Sequence, residues 1–220
     1  MAHPSRRAFV QRLRRDLPAR VVWDRRNDRW DTGRRSMLAF DPTAEWHVVT
    51  QDDAIVCRDF VPGVAHALAA VGDHPVAFYM GRVRPHVGFV RKMHLRADKE
   101  NARWIAMRGP WWGVSVAVRT ERIPEMVKWC DQRDVPNYDL RMTRYWESLG
   151  IECWYSVPSL VDHRVGDENP SLVPGRGNSP SRVAFRFIGD RSPLEVDWRT
   201  DAVCPTSGPG AIRRGRRVTT

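Results

Sequence analysis

The chain has 220 residues, 42% hydrophobic and 28% charged, which suits one globular domain with a sizeable core. This composition excludes collagen-like, coiled-coil and disordered chains, and no apolar run approaches the roughly 20 residues of a membrane span. The net charge of +10 is unevenly placed: residues 1–35 hold eleven Arg against four Asp, the tail Arg213, Arg214, Arg216 and Arg217 adds four more, and the remainder is close to neutral. Only three of the 36 basic residues are Lys, a bias that GC-rich coding produces without functional cause. The N-terminal stretch lacks a hydrophobic signal core, so a cytoplasmic protein is expected. The cysteines Cys57, Cys130, Cys153 and Cys204 form no CxxC or zinc-finger spacing and read as reduced thiols.

In chain order, Pro4 and Ser5 open a helix to about Asp16. Ala19–Trp23 reads as a short strand, and Asp24–Asp31 as a polar turn. A helix is expected over Arg34–Phe40, a buried strand over Trp46–Thr50, and an acidic turn at Gln51-Asp52-Asp53 before Ala54–Val56 resume an apolar run. Asp59 is the expected N-cap of a helix to Val71, followed by a strand over Pro75–Met80 and a basic loop with some helix over Gly81–Asn101. Ser115–Val118 reads as a strand, and Thr120 as the cap of a helix with Ile123, Met126, Val127 and Cys130 on one face. Asn137–Leu149 is a helix stopped by Gly150, with Tyr138, Met142, Tyr145, Trp146 and Leu149 on one face. Cys153–Val157 is a strand, Val183–Ile188 a candidate strand, and the chain is expected to be disordered from Thr206. Helices and strands alternate through residue 157, which predicts an α/β sandwich with a largely parallel or mixed sheet. Ligands in such sheets sit beyond the carboxyl ends of the strands, where Asp24, Asp52 and Asp53 all fall.

Five segments could carry chemistry. Asp52 and Asp53 follow a buried strand and read either as a turn or as oxygen ligands for a hard divalent ion. Asp139 lies in the first turn of its helix, where a carboxylate gains from the helix dipole. His163 follows an apolar strand and a Pro turn, and reads as a structural residue or a ligand. Trp111-Trp112-Gly113 could stack a sugar or base, or fill the core. The segment Trp23–Arg35, dense in Arg and Asp, reads as an ion-paired surface or as a phosphate contact.

The order of these blocks resembles a glycosyltransferase of the GT-A type, similar to family-two enzymes and to the lipopolysaccharide-modifying glycosyltransferases. The blocks WDTGRRS, QDDA, GPWWG and PSLVDHR together also look like glycosyltransferase-like proteins encoded by actinobacterial phages. The likeness covers roughly residues 3–190. It implies a three-layer sandwich with a mixed, mostly parallel sheet, one catalytic domain over 1–190, and a basic extension over 191–220. It also implies a nucleotide-sugar donor, a divalent cation (Mn²⁺ or Mg²⁺), and specific roles. Asp53 and His163 resemble metal ligands, and Asp52, Asp24 and Arg34 would contact the donor. Trp111, Trp112 and Gly113 would face the acceptor, and Asp139 resembles the catalytic base. This chain departs from the family at two points. Gln51 stands where the motif has its first acid, and Met1 lies almost in the turn that follows the family's first strand, which implies a missing or truncated strand. Two further classes compete: a metal-dependent nuclease or phosphotransferase using the same carboxylates, and a non-enzymatic basic phage protein whose flanks bind nucleic acid or a virion component.

Overall fold

The computed structural model of the protein describes residues 1–83, 87–166, 172 and 182–206. A short 3-10 turn at Pro4–Arg6 leads into α1 (Arg7–Asp16), whose Phe9 and Val10 are buried. Ala19–Trp23 is not a strand; its one ladder contact is a parallel bridge between Trp23 and Ala2. The next helix, α2, covers Arg29–Met37 and starts five residues earlier than expected. Asp28 is the reason: its carboxylate accepts the N–H groups of Trp30 and Asp31, which satisfies donors that a helix start leaves open.

The strands β1 (Trp46–Thr50) and β2 (Ala54–Val56) flank the acidic turn as expected. In α3 (Phe60–Leu68), Asp59 holds the N-cap position in a left-handed conformation and makes no side-chain cap bond. After the two-residue β3 (Val76–Ala77), the stretch expected to be mostly loop instead forms α4 (Val87–Lys99), buried through Phe89, Val90, Met93, His94 and Ala97. No element was expected over 102–108, yet β4 (Trp104–Arg108) lies there. Trp104, Ile105, Ala106 and Met107 are all fully buried, so both faces are apolar and no period-two alternation marks the strand. Then follow β5 (Ser115–Arg119), α5 (Ile123–Asp131), α6 (Tyr138–Leu149), β6 (Glu152–Ser156), β7 (Val161–His163) and β8 (Ala202–Val203). Thr120 donates its hydroxyl proton to the carbonyl of Ala44 rather than capping α5. Leu149 is 42% exposed and leaves the buried face of α6. Residues 183–188 contribute only isolated bridges, Ala184 to Gly81 and Phe187 to Ser159.

Among the described residues the main sheet has six strands in the order β1-β5-β3-β6-β4-β8, and β2 pairs with β7 as a separate ribbon. The pairs β3–β6 and β4–β8 are parallel, while β1–β5, β3–β5 and β4–β6 are antiparallel. The sheet is therefore mixed, and the expectation of a mostly parallel sheet does not hold. Side chains alternate across it. Val116 and Val118 join Val49 in a core with α2, α5 and α6, whereas Ala117 joins a larger core with α3 and α4. The chain beyond 190 adds β8 at one edge and buries Trp198 against Trp104, with ring centroids 5.1 Å apart. The expected disordered tail after Thr206, with its four arginines, lies outside the described residues. All four cysteines are free, and burial pushes the thiols of Cys57 and Cys130 up to about 12, which leaves them unreactive at neutral pH. No helix among the described residues is long and apolar enough to cross a membrane.

Candidate active site

The site begins where β1 ends. The turn Asp52–Asp53 reverses the chain into β2, and β2 runs antiparallel to β7 with Ala54 opposite His163. That register returns His163 to Asp53, although the two are 110 positions apart in sequence. The His163 Nε2 lies 3.1 Å from Asp53 Oδ2, and the Arg164 N–H donates to the Asp53 carbonyl at 2.8 Å. From the N-terminal turn, Arg6 inserts one guanidinium nitrogen between the acids, 3.0 Å from Asp52 Oδ1 and 2.8 Å from Asp53 Oδ2. The His3 N–H donates to Asp52 Oδ2 at 2.6 Å. All four side chains are buried, Asp53 and His163 to within 2%. Burial, followed by the charge of Asp53, raises the pKa of Asp52, against the pull of the His3 N–H and Arg6.

Do these residues suit a divalent ion? Neither ring nitrogen of His163 makes a hydrogen bond among the described residues, so its 3.1 Å approach to Asp53 is a contact without hydrogen-bond geometry. Adjacent ligands of an octahedral Mg²⁺ are about 3 Å apart, and such an ion typically takes one or two carboxylates and completes its shell with water and phosphate. Asp53 and His163 are the side chains that could hold such an ion, but Asp53 Oδ2 already accepts from the Arg6 guanidinium at 2.8 Å, and a hard ion prefers oxygen to an imidazole. Among the described residues no three His, Cys, Asp or Glu side chains gather into a ligand set.

A second group joins this cluster to α6. The phenol of Tyr138, at the first position of α6, donates to the Gly113 carbonyl and accepts from Gln51 Nε2 at 3.3 Å. Burial raises its pKa strongly, and the charges of Asp139 and Asp53 add to the effect, so the phenol stays a neutral donor. Glycine is required on both sides of this ring. A Cβ on Gly113 would collide with the Tyr138 ring, and one on Gly33 of α2 would come within 2.7 Å of Tyr138 Cβ. Asp139, the next residue, is half-buried, and its carbonyl accepts from the Thr143 hydroxyl at 2.9 Å.

The aromatic step divides. Trp112 is buried, with its ring edge-on to Tyr155 and Tyr79, and serves as core. Trp111 keeps part of its surface, and the Tyr155 hydroxyl anchors it by accepting its N–H at 2.7 Å and donating to the Gly109 carbonyl at 2.7 Å. The bond from the Tyr138 phenol to the Gly113 carbonyl puts this step beside the start of α6.

Asp24 lies across the Ala2–His3 segment from Asp52. Its N–H donates to the Ala2 carbonyl at 2.7 Å, and its carboxylate accepts the N–H groups of Arg26 and Asn27, closing the turn. Arg34 is not brought to the cluster. Its Nε donates to both carboxylate oxygens of Asp131 at 2.9 Å, in a separate polar concavity with Asp28 and Trp30. Sequence reasoning missed Arg6, Gln51 and Tyr138 as parts of the site. The signal available for Arg6 was an arginine directly after a Pro-Ser turn, and for Tyr138 a position preceding the candidate acid Asp139. No protein-family model matches the chain, and no curated protein does.

Proposed function

We propose that the chain is a glycosyltransferase of the GT-A type, which moves a sugar from a nucleotide-sugar donor to an acceptor hydroxyl. The observation that carries this reading is the convergence of Asp52, Asp53 and His163 at the end of β1, tied through Gln51 and Tyr138 to the helix that bears Asp139. A bound Mn²⁺ or Mg²⁺, held by Asp53 and His163, would neutralise the departing diphosphate. Asp24 and Asp52, on either side of Ala2–His3, contact the donor nucleoside. Asp139 accepts the proton of the acceptor hydroxyl as that oxygen bonds to the anomeric carbon. The anomeric carbon–oxygen bond to the diphosphate breaks, its electron pair leaves with the phosphate, and configuration inverts.

The test is nucleotide release from a panel of nucleotide-sugars with Mn²⁺ or Mg²⁺. Release from one donor is expected, lost with chelator and in Asp53→Asn. Asp139→Asn should lower turnover by about 10²–10⁴-fold, the usual worth of a general base. Full turnover in Asp139→Asn overturns the base assignment, and no release from any donor by a folded chain overturns the transferase reading.

A second reading has its own observation. Eight arginines between Arg7 and Arg29 are exposed in the N-terminal segment, a local excess of positive charge that suits a nucleic-acid backbone. Binding to a DNA duplex that falls steeply between 50 and 200 mM salt, with no nucleotide release, would favour it.

A further inference from the structure

The polar concavity that holds Arg34 shares no residue with the cluster around Asp53. It has a volume of about 680 Å³ and lies between the start of α2, the end of α5 with the residues just after it, and Arg141 of α6. Four arginines and four aspartates line it, a balance that changes once their pairing is followed. Arg34 is matched by Asp131, which also accepts the Trp30 indole N–H at 3.0 Å. Asp31 is matched by Arg35 at 2.9 Å. Asp28 spends its carboxylate on N–H groups at the positive end of α2. Arg26, Arg133 and Arg141 are left facing Asp134 and that capped Asp28.

These three guanidinium groups meet no carboxylate. Among the described residues the Arg26 side chain makes no hydrogen bond or ion pair, and Arg133 only lies over the Trp129 ring, 4.0 Å from its centroid. Arg141 is the fixed member. It is 8% exposed, and its Nε and Nη1 donate to the carbonyls of Val135 and Cys130. Its guanidinium carbon lies 4.6 Å from the centre of the Trp30 ring. These contacts set the plane of the group. The remaining nitrogen, Nη2, makes no hydrogen bond among the described residues and is not sealed from solvent. A charged donor held in a largely buried place is costly without an acceptor.

We propose that this concavity binds a phosphate group, carried by a small phosphomonoester. Arg141 presents Nη2 from a fixed plane, and Arg26 and Arg133 supply the further guanidinium donors that match phosphate oxygens. A polynucleotide would carry its neighbouring phosphates past Asp28, Asp31 and Asp134, a repulsion that a compact dianion escapes. The net charge of +10 draws anions toward the chain. This inference does not depend on the transferase reading.

The experiment is calorimetric titration of the full chain with glycerol phosphate, with a chelator present so that no divalent ion takes part. Saturable binding is expected, weakened about tenfold in Arg26→Ala and in Arg133→Ala, the usual worth of a charge-assisted hydrogen bond. Asp134→Asn removes a like charge facing the ligand and should tighten binding. Arg91→Ala removes the same positive charge from an exposed position on α4 and should leave binding unchanged. Arg141→Lys keeps the charge but loses the planar fork, and should bind more weakly. If that variant fails to fold, Arg26→Ala and Arg133→Ala still decide the matter, since neither side chain holds the fold by a hydrogen bond. No binding by the parent chain overturns the proposal. Equal weakening in Arg91→Ala and Arg133→Ala also overturns it, because the anion would then sense only a diffuse positive surface. So does a short DNA duplex that binds through Arg26 and Arg133 and is not displaced by glycerol phosphate.

Discussion

Arg6 and Arg7 are neighbours in an arginine-rich segment, yet the two do opposite things. Arg7 is exposed and lies over the ring of Trp23, whereas Arg6 is 8% exposed and bridges two buried carboxylates. The acidic pair was legible because adjacent acids after an apolar run stand out. Its counter-charge was not, because burial of one arginine among eleven depends on the fold. A buried carboxylate pair stripped of its cation is costly. Arg6→Met should therefore destabilise the chain by about 3–5 kcal/mol, measured by urea unfolding at pH 7. Adding Asp52→Asn should recover part of that loss, since it removes one of the stranded charges. A loss below about 1 kcal/mol would mean that the acids are solvated in the native state. Glycines follow the same pattern. Gly113 was singled out by its place beside two tryptophans, but the partner that demands it, Tyr138, is 25 residues away.

At the scale of elements, legibility tracked amphipathicity. The face of α6 that carries Tyr138, Met142, Tyr145 and Trp146 repeats at helical spacing and is buried as the pattern says. β1 was read with its observed bounds. β4 was not read at all, since a strand buried on both faces has no alternation to display. α4 was obscured by its arginines and lysines, although five of its residues are buried. The start of α2 was misplaced because Asp24, Asp28 and Asp31 all look like turn residues, and only Asp28 caps. Asp28→Ala should cost about 1 kcal/mol, the typical worth of an N-cap. The loss matters to the site because α2 presents Gly33 to Tyr138. Chemical denaturation of the variant checks the number, and Asp24→Ala, which removes a turn bond rather than a helix cap, provides the comparison. His163 stands beside Asp53 because of the β2–β7 register, which no local pattern encodes.

Over the whole molecule, two groups far apart give stability the same dependence on pH. His94 of α4 is 1% exposed and stacks on Phe185 at 4.4 Å, with no hydrogen bond to either ring nitrogen among the described residues. Burial, aided by Arg186 and opposed by Asp98, lowers its pKa to about 4 from 6.5. The Met1 amine is lowered to about 6 from 8.0. Both are bases depressed in the folded state, so each is neutral when folded and takes a proton more readily when unfolded. Their contribution is fully present above the unfolded pKa and is lost as pH falls through the folded one. Stability should thus decline in two overlapping stages, from about pH 8 to 6 through the amine and from about pH 6.5 to 4 through His94. The second stage is worth at most about 3 kcal/mol. His94→Phe keeps a ring against Phe185 and has nothing to protonate, so it should flatten the decline below pH 6.5 while leaving the stage above it. The same acid loss in His94→Phe and in the parent chain, measured by urea unfolding across pH 4–8, would overturn the assignment of the second stage to His94. In the carboxylate cluster the raised pKa of Asp52 works in the other direction: protonation on acidification relieves its burial, and Arg6 then has only Asp53 left to neutralise.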